Sequence, residues 1–359
     1  MPGGITMNEK MNNMKILVTG ASGFIGSFIV EEGLRRGYSV WAAVRPSSSR
    51  GYLKDKNIQL VELDLEHPEV LRVQLAACRA RMGAWDVVVH AAGATKCVRR
   101  EDFFRTNTDG TRHLVEGLRQ AGMMPGKFVF ISSLSVYGAI RENPVRKSSP
   151  DCPWVYAPIR EEDTPHPNTA YGESKLEAEC YLKQQSDLPY VILRPTGVYG
   201  PRERDYFMMA KSIRQHSDFT VGYKPQEITF VYVRDLVQAV FLAAEKNEIC
   251  RREYFITDGE VYHSETFSDL IAAELGHPFF VRIKAPVWLL RLVCTVAGAW
   301  SAWQGRTVTL NRDKFHILKQ RNWQCDIEPA RRELGYRPRY SLAEGVRETI
   351  TWYKKEGWL

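Results

Sequence analysis

A glycine-rich turn near the start of the chain constrains the fold more than any other feature. Residues 18–26 read Val-Thr-Gly-Ala-Ser-Gly-Phe-Ile-Gly and follow the largely apolar run 14–17. In such a strand–turn–helix unit, Gly20 permits the tight turn, Gly23 lets the backbone approach a pyrophosphate, and Gly26 lets the helix pack closely on the strand. The N–H groups and the dipole of that helix face the phosphates. The turn therefore predicts a dinucleotide site with contacts from Gly20, Ser22, Gly23, Phe24, Ile25 and Gly26.

Strand and helix patterns alternate through the first half of the chain, which is typical of a parallel sheet covered on both faces. We predict strands at 15–19, 39–44, 59–63, 86–90, 128–132 and 190–194. We predict the helices between them at 24–36, 68–82, 103–121 and 170–185. The fold class is therefore α/β, a Rossmann-type doubly wound parallel sheet with the cofactor across its switch point.

The second half has a different pattern, which indicates a smaller C-terminal substrate domain interleaved with the sheet. Helices are predicted at 205–214, 234–246, 264–275 and 342–355, and strands at 227–231 and 253–256. We divide the chain into a flexible leader at 1–13, a dinucleotide-binding domain at 14–195, and a mainly substrate-binding domain at 196–359, some segments of which return to the sheet. An insertion at 141–168 is rich in proline, serine and charge, and both a lid and a floppy loop are consistent with it.

Charge and cysteine content argue against two classes of protein, nucleic-acid-binding proteins and metalloproteins. The formal net charge is +7, but Lys and Arg are spread along the 359 residues, which argues against a nucleic-acid partner. The seven cysteines are scattered, and no Cys-x-x-Cys or Cys/His cluster predicts a metal site. Because residues 1–13 lack the pattern of a signal peptide, we expect a reduced, cytoplasmic protein.

Residues 285–303 are the most apolar window of the chain. The window is about long enough to span a bilayer, but Arg291 near its middle would cost about 2.5–3.5 kcal/mol there. We therefore expect a buried or pocket-lining helix and no integral membrane span, while peripheral contact with a membrane stays open.

The residues after the second and third strands bear on which dinucleotide is bound. A carboxylate after the second strand binds the ribose hydroxyls of NAD, whereas an arginine accommodates the 2′-phosphate of NADP. Arg45 occupies that place and residues 45–50 contain no carboxylate, so NADP(H) is favoured over NAD(H). Asp64 and Leu65 follow the third strand and are candidates for the adenine contact, and a helix-capping role for Asp64 stays open.

Small residues follow the fourth strand. Ala91, Ala92 and Gly93 come directly after His90, and their size lets the backbone run close under a cofactor. Asn107 lies near the start of the next helix, where both a structural hydrogen bond and a catalytic role are open.

Tyr171 and Lys175 lie four residues apart in Tyr-Gly-Glu-Ser-Lys, and this spacing places both side chains on one face of a helix. A tyrosine with a pKa near 10 is a poor acid–base at neutral pH, and a neighbouring ammonium stabilises its phenolate. Ser133 follows the fifth strand, where open α/β sheets bind ligands, and its hydroxyl suits a substrate carbonyl oxygen. These three residues predict a site for hydride and proton transfer.

These motifs together resemble the extended short-chain dehydrogenase/reductase superfamily, also called the NAD-dependent epimerase/dehydratase family. The resemblance covers nearly the whole chain from Met14 onward. The matching sequences are Thr19-Gly-x-x-Gly-x-x-Gly26, His90-Ala-Ala-Gly, Asn107-x-x-Gly-Thr, Ser133 ahead of Val-Tyr-Gly138, Tyr171-Gly-x-Ser-Lys175, Leu193-Arg-Pro-Thr-Gly-Val-Tyr-Gly-Pro201 and Val231-Tyr-Val-Arg-Asp235.

The resemblance implies roles for individual residues. Tyr171 would be the proton donor or acceptor, and Lys175 would also hold the nicotinamide ribose. The implied catalytic triad is Ser133, Tyr171 and Lys175. Further cofactor contacts are implied at Pro195, Gly197 and Val198, and substrate contacts at Thr95, Ser135 and Arg202. A homodimer through helices 103–121 and 170–185 is implied as well.

Departures from the family pattern bear on the substrate. Sugar-nucleotide dehydratases carry an acidic pair where this chain has Leu134 and Ser135, and many epimerases carry an asparagine where it has Gly197. These positions look more like the 3β-hydroxysteroid dehydrogenase and dihydroflavonol-reductase branches. We therefore expect an NAD(P)(H)-dependent oxidoreductase that interconverts a hydroxyl and a ketone on a steroid-, terpenoid- or flavonoid-like molecule. The alternative is an NAD-dependent nucleotide-sugar 4-epimerase or dehydratase.

Overall fold

The computed structural model describes residues 14–146, 154–223, 226–304 and 312–359, so the predicted leader at 1–13 lies outside the described residues. The strands are β1 (Lys15–Thr19), β2 (Ser39–Val44), β3 (Gln59–Glu62), β4 (Val87–His90), β5 (Lys127–Ile131), β6 (Val145–Arg146), β7 (Trp154–Val155), β8 (Tyr190–Pro195), β9 (Gly197–Tyr199), β10 (Ser217–Val221), β11 (Glu227–Ile228), β12 (Phe230–Tyr232), β13 (Arg252–Ile256), β14 (Tyr262–His263) and β15 (Val281–Ala285). The α-helices are α1 (Phe24–Arg35), α2 (Pro68–Met82), α3 (Arg100–Phe103), α4 (Gly110–Gln120), α5 (Ala170–Gln184), α6 (Asp205–Arg214), α7 (Val233–Glu245), α8 (Thr266–Glu274), α9 (Val287–Gln304), α10 (Arg312–Lys319) and α11 (Leu342–Lys355).

Seven parallel strands form the central sheet in the order β13-β8-β5-β4-β1-β2-β3. From β1 the chain adds β2 and β3 on one side and then returns to add β4 on the other. The strand order therefore reverses between β1 and β4, and a crevice opens at their carboxyl ends. This arrangement confirms the predicted doubly wound α/β fold. A segment of the second half, β13, completes the sheet by pairing with β8.

Apolar side chains cover both faces of the sheet. Ile16 and Val18 of β1 belong to one buried cluster, which also contains residues of α1 and α7. Leu17, between them, belongs to a second cluster with residues of α2 and α4 on the other face. Since a strand covered on both faces has no polar side, its sequence reads as a continuous apolar run. For this reason the strands could be predicted from the sequence although apolar and polar residues do not alternate along them.

The predicted helix at 103–121 is interrupted in the structure. It begins earlier, as α3, and runs through a π-helical segment, Phe104–Asp109, into α4. π-Helical turns occur frequently at functional sites. This one contains Asn107, whose buried side chain bonds to the loop after β4.

The described part of the insertion at 141–168 packs against the C-terminal region. Arg141 pairs with Asp163 at 2.6 Å, which closes the segment on itself. The backbone of Ile159 donates to Gln324 and accepts from Asp326, both at 2.9 Å. Residues 147–153 lie outside the described residues. These bonds tie the described part of the insertion to the C-terminal region.

The prediction that the apolar window forms a buried or pocket-lining helix is wrong for the described side chains of α9. Leu290 and Cys294 are buried, but Trp288, Leu292 and Val296 on the opposite face are exposed. The sequence shows that this window is apolar, but only the tertiary fold determines which side of it is covered. Within residues 14–146, 154–223, 226–304 and 312–359, no helix is long and apolar enough to cross a membrane.

Candidate active site

A cleft of about 940 Å³ opens at the carboxyl ends of the central strands. The glycine turn after β1, the small residues after β4 and the serines after β5 all line it. Tyr171 and Lys175 reach it from the start of α5, and residues that follow β8 complete its floor. The structure therefore brings the predicted cofactor turn and the predicted catalytic residues into one cavity.

The glycine turn has the shape that a bound pyrophosphate needs. Gly20 has a φ of 66°, and a Cβ there would lie 2.7 Å from the Ala91 carbonyl oxygen. A Cβ on Gly26 would lie only 2.1 Å from the Gly20 carbonyl oxygen, so α1 packs on the turn as closely as a backbone can. The Gly23 N–H donates to that carbonyl at 2.9 Å and closes the turn. These residues fit a dinucleotide held at the N-terminus of α1.

His90 supports this turn as a neutral imidazole. Thr111 donates its hydroxyl proton to the Asn107 carbonyl at 2.6 Å, so it can only accept from His90 Nε2 at 3.0 Å. The Thr19 hydroxyl, which accepts from the Ala92 N–H, then donates to His90 Nδ1 at 2.7 Å. Burial and the nearby Lys175 charge lower the pKa of His90 to about 3. The ring is therefore a structural linker between β1, β4 and α4.

A pH dependence of stability follows from this linker. Because unfolded histidine has a pKa near 6.5, the unfolded chain binds more protons than the folded one between about pH 6.5 and 3. The free energy of unfolding therefore falls as pH decreases through this window. We expect His90→Asn to flatten that slope between pH 6.5 and 4, measured by urea unfolding. The exposed His263→Asn is the control, and an equal flattening there would contradict the prediction.

Tyr171 and Lys175 lie on the first turns of α5, as predicted. The Thr169 hydroxyl caps the helix by accepting from the Gly172 N–H at 3.0 Å. Burial raises the pKa of Tyr171 to about 12, and a hydrogen bond with Ser133 opposes the rise. Burial lowers the pKa of Lys175 to about 8, and Glu179 one turn later opposes the fall. Burial therefore moves the two pKa values apart, so at neutral pH the Tyr171 phenol keeps its proton, as a proton donor must.

The Lys175 ammonium is held at a fixed place under the cleft. Its Nζ donates to the Ile131 carbonyl at 2.9 Å and lies 4.6 Å from the centre of the Phe130 ring. A Cβ on Gly93 would lie 3.1 Å from Nζ, so a larger residue at this position would crowd the lysine. The small residue predicted to pass under the cofactor therefore also lies against the Lys175 ammonium.

A buried ionic group that sequence reasoning missed lies behind the serines. Arg194 donates to both carboxylate oxygens of Glu179, at 3.0 and 2.5 Å, and the Ser132 hydroxyl donates to Glu179 at 2.5 Å. This group links β8, α5 and the end of β5, which precedes Ser133. The signal in the sequence was an arginine inside the apolar strand β8, since a buried charge needs a partner.

The cofactor and substrate residues predicted from the sequence divide into two groups. Those that line the cleft include, besides the glycine turn and the catalytic residues, Arg45, Leu65, Ala91, Ala92, Gly93, Thr95, Ser135, Pro195, Gly197 and Val198. Asp64, Asn107 and Arg202 do not line it. Asn107 instead bonds through its amide to Ala94 and Ser174.

Asp64 and Arg202 have structural partners of their own. Asp64 accepts from the backbone N–H groups of Glu66 and His67 and from the His67 ring. The N-cap residue of α2 is His67, without a side-chain cap, so Asp64 lies in the turn before the helix and does not have the alternative capping role. Arg202 has a φ of 76° and pairs with Glu31 at 2.5 Å on the outer side of α1. Its left-handed backbone turns the side chain away from the cleft, so the structure does not support the predicted substrate contact.

The rest of the cleft is lined by segments distant in sequence from Ser133, Tyr171 and Lys175. This lining combines apolar side chains of α6, β12, α8 and α10 with a small polar group. The apolar members include Tyr206, Met209, Phe230, Phe267, Ile317 and Leu318, and the polar ones include Glu203, Asp205, Gln226, Thr229 and Lys314. These residues were not predicted because no local pattern marks them, and tertiary contacts alone bring them together.

Comparisons with known proteins agree with this geometry. The model of the family described as NAD dependent epimerase/dehydratase matches residues 16–256. The chain is 25% identical to the UDP-glucose 4-epimerase of Vibrio cholerae, over 93% of this chain and 94% of that protein. It is also 25% identical to a 3-beta-hydroxysteroid dehydrogenase of Mycolicibacterium neoaurum, over 94% and 91%. The crystal structure of UDP-glucose 4-epimerase from Thermotoga maritima with UDP-glucose is similar, with a TM-score of 0.74, 24% identity, and 96% and 99% of the two chains covered.

Proposed function

The chain belongs to the NAD-dependent epimerase/dehydratase family, and from this we propose that it uses NADP(H) to interconvert a hydroxyl and a ketone on a largely apolar small molecule. One observation carries the proposal: the glycine turn and the group Ser133, Tyr171 and Lys175 line the same cleft. The turn suits a dinucleotide pyrophosphate, and the second group suits a carbonyl oxygen that gains a proton.

The chain's own residues account for the proton transfer. When bound, the reduced nicotinamide supplies the hydride that adds to the carbonyl carbon. Tyr171 donates its phenol proton to the carbonyl oxygen, so the product is a neutral alcohol. The Ser133 hydroxyl donates a hydrogen bond to that oxygen as its negative charge develops. The Lys175 ammonium stabilises the Tyr171 phenolate until solvent returns a proton.

The surroundings of the catalytic residues favour simple hydride transfer over dehydration. Elimination needs an acid and a base beside the catalytic hydroxyl, and those positions are Leu134 and Ser135. The rest of the cleft presents aromatic and aliphatic side chains such as Tyr206 and Phe267. Such a lining suits an apolar substrate, and one relative carries the name of a hydroxysteroid dehydrogenase.

A substrate screen tests the proposal. We expect the protein to consume NADPH with steroid, flavonoid or simple aromatic ketones, followed by the loss of absorbance at 340 nm. In parallel, thermal unfolding is measured with each ketone and with UDP-glucose. Stabilisation by UDP-glucose, together with NAD that survives purification and no ketone reduction, would establish the nucleotide-sugar alternative and overturn the proposal.

Arg45 lines the cleft, and the proposed role of its guanidinium is to bind the 2′-phosphate of NADP(H). Its guanidinium is exposed and 3.9 Å from Glu66, and its backbone N–H donates to Ser48. We expect Arg45→Ala to raise the KM for NADPH about tenfold while changing the KM for NADH less than about twofold, because one exposed phosphate contact is lost. Arg50→Ala in the same loop, which pairs with Glu62 at 3.7 Å, is the control. Equal effects on both cofactors would contradict NADP selectivity.

A further inference from the structure

Helix α9 carries an apolar face that nothing in the described chain covers. Trp288, Leu292 and Val296 are spaced four residues apart and are 69%, 54% and 61% exposed. Leu289 and Val293, beside them, are exposed as well. The buried side chains of this helix, Leu290 and Cys294, lie on the opposite side, so the helix packs by one face and leaves an equally apolar face in solvent.

The two-stranded sheet β10–β15, which precedes α9 in the chain, also has one face that packs on the protein and one face that is apolar and exposed. In the parallel pair β10–β15, Phe219 lies opposite Ile283 and Asp218 opposite Arg282. Arg282 binds Asp218 at 2.8 Å and Asp269 of α8 at 2.6 Å, so the polar side of the sheet faces inward. Because side chains alternate along a strand, the other side carries Phe219, Val281 and Ile283, all of them exposed.

The charged residues beside these two apolar faces indicate what kind of partner binds there. Arg282 and Lys284 of β15 are paired with Asp218, Asp269 and Glu265, so their charges are balanced within the protein. Arg291 is exposed at the edge of the apolar face of α9, and it forms no ion pair within the described residues. A symmetric contact between two copies would bring two unpaired Arg291 guanidiniums close together, which argues against a second copy of the chain as the partner. The homodimer expected from sequence uses α4 and α5 instead.

We infer that the apolar face of α9 docks on an anionic lipid surface. A helix with an apolar face, an aromatic side chain and flanking cations lies in the plane of a membrane interface, where the apolar groups enter the acyl boundary and the cations meet phosphates. Trp288 supplies the aromatic group and Arg291 the cation. The surface is separate from the cleft, because the described side chains of α9 do not line it. The inference therefore goes beyond the proposed function and does not depend on it.

Vesicle sedimentation with the full chain tests this docking. We expect binding to vesicles of equal phosphatidylcholine and phosphatidylglycerol, and weaker binding to phosphatidylcholine alone. The triple variant Trp288→Ser, Leu292→Ser, Val296→Ser should lower the partition coefficient at least about tenfold. Arg291→Glu should remove the preference for the anionic vesicles. The matched control is Val70→Ser with Val73→Ser on α2, which are 46% and 67% exposed and should leave binding unchanged.

Three results would overturn the docking. These are no binding of the unaltered protein to either vesicle, equal loss in the α2 control, and self-association that the triple variant abolishes in sedimentation velocity. The last would assign the surface to a second copy of the chain. NADPH consumption with a water-soluble ketone, measured without vesicles, shows that each variant is folded. If no ketone is reduced while vesicle binding still depends on α9, the proposed function fails and the docking stands.

Discussion

Tyr171→Phe is expected to lower kcat for ketone reduction about 10³-fold and to leave the Kd for NADPH within about twofold. The phenol proton is the one that the alkoxide needs, and phenylalanine keeps the ring while removing it. The ring centroid of Tyr171 lies 6.4 Å from that of Phe103, and phenylalanine keeps this packing. The effect should therefore fall on turnover rather than on folding. Stopped-flow single turnovers and NADPH fluorescence titration measure the two quantities.

Tyr181→Phe is the matched control for this variant. Tyr181 lies on the same helix α5, and its hydroxyl is 3.5 Å from Glu116, outside the cleft. We expect this control to keep at least about half of the turnover, because its hydroxyl touches no reacting atom. If Tyr171→Phe also kept more than about a tenth of the turnover, Tyr171 would not be the proton donor.

The sequence was sufficient to predict those parts of the site that lie within a few residues of one another. The turn at Gly20 and Gly26 is set by backbone conformation and close packing, so its residue types appear locally. The pair Tyr171 and Lys175 is likewise set by the period of a single helix. The parallel strands were recognisable because both of their faces are buried, which leaves continuous apolar runs.

Other features depended on contacts between distant segments and could not be predicted. Arg202 follows closely after Gly197, which lines the cleft, but a left-handed φ directs its side chain to Glu31 instead. Phe267 and Leu318 both line the cleft although about fifty residues separate them in sequence. The exposure of Trp288 was missed for the same reason, because hydropathy measures how apolar a helix is and not what covers it.

Glu179 is a residue for which the sequence and the structure each supply part of the description. Its position one turn after Lys175 is visible in the sequence, but its partner Arg194 comes from β8. In the structure the carboxylate is fully buried and bonds to Arg194 and to Ser132, next to Ser133. This ionic group therefore fixes the residue that precedes Ser133, and it keeps a negative charge near the Lys175 ammonium.

Lys175→Met is expected to lower kcat about 10³-fold without lowering the free energy of unfolding at pH 7. The ammonium is buried, and burial lowers its pKa to about 8. The charge therefore lowers the free energy of unfolding, and the proposed catalytic role is the reason we give for its presence. Methionine has a similar length and removes that charge, whereas the Tyr171 phenolate loses its stabilising cation. Unlike Tyr171→Phe, this variant should also raise the Kd for NADPH, because the contact with the nicotinamide ribose is lost.

The pH dependence of unfolding tests whether Lys175 titrates as a buried group, separately from its proposed role in turnover. Free lysine has a pKa of 10.5, so between about pH 8 and 10.5 the unfolded chain holds a proton that the folded chain has released. The free energy of unfolding of the unaltered protein therefore gains a rising contribution in this window, and Lys175→Met should lack it. Lys183→Met, which removes a partly exposed lysine paired with Glu253 at 2.7 Å, should keep the rise and most of the turnover. If Lys175→Met retained the rise, the group that titrates in this window would not be Lys175.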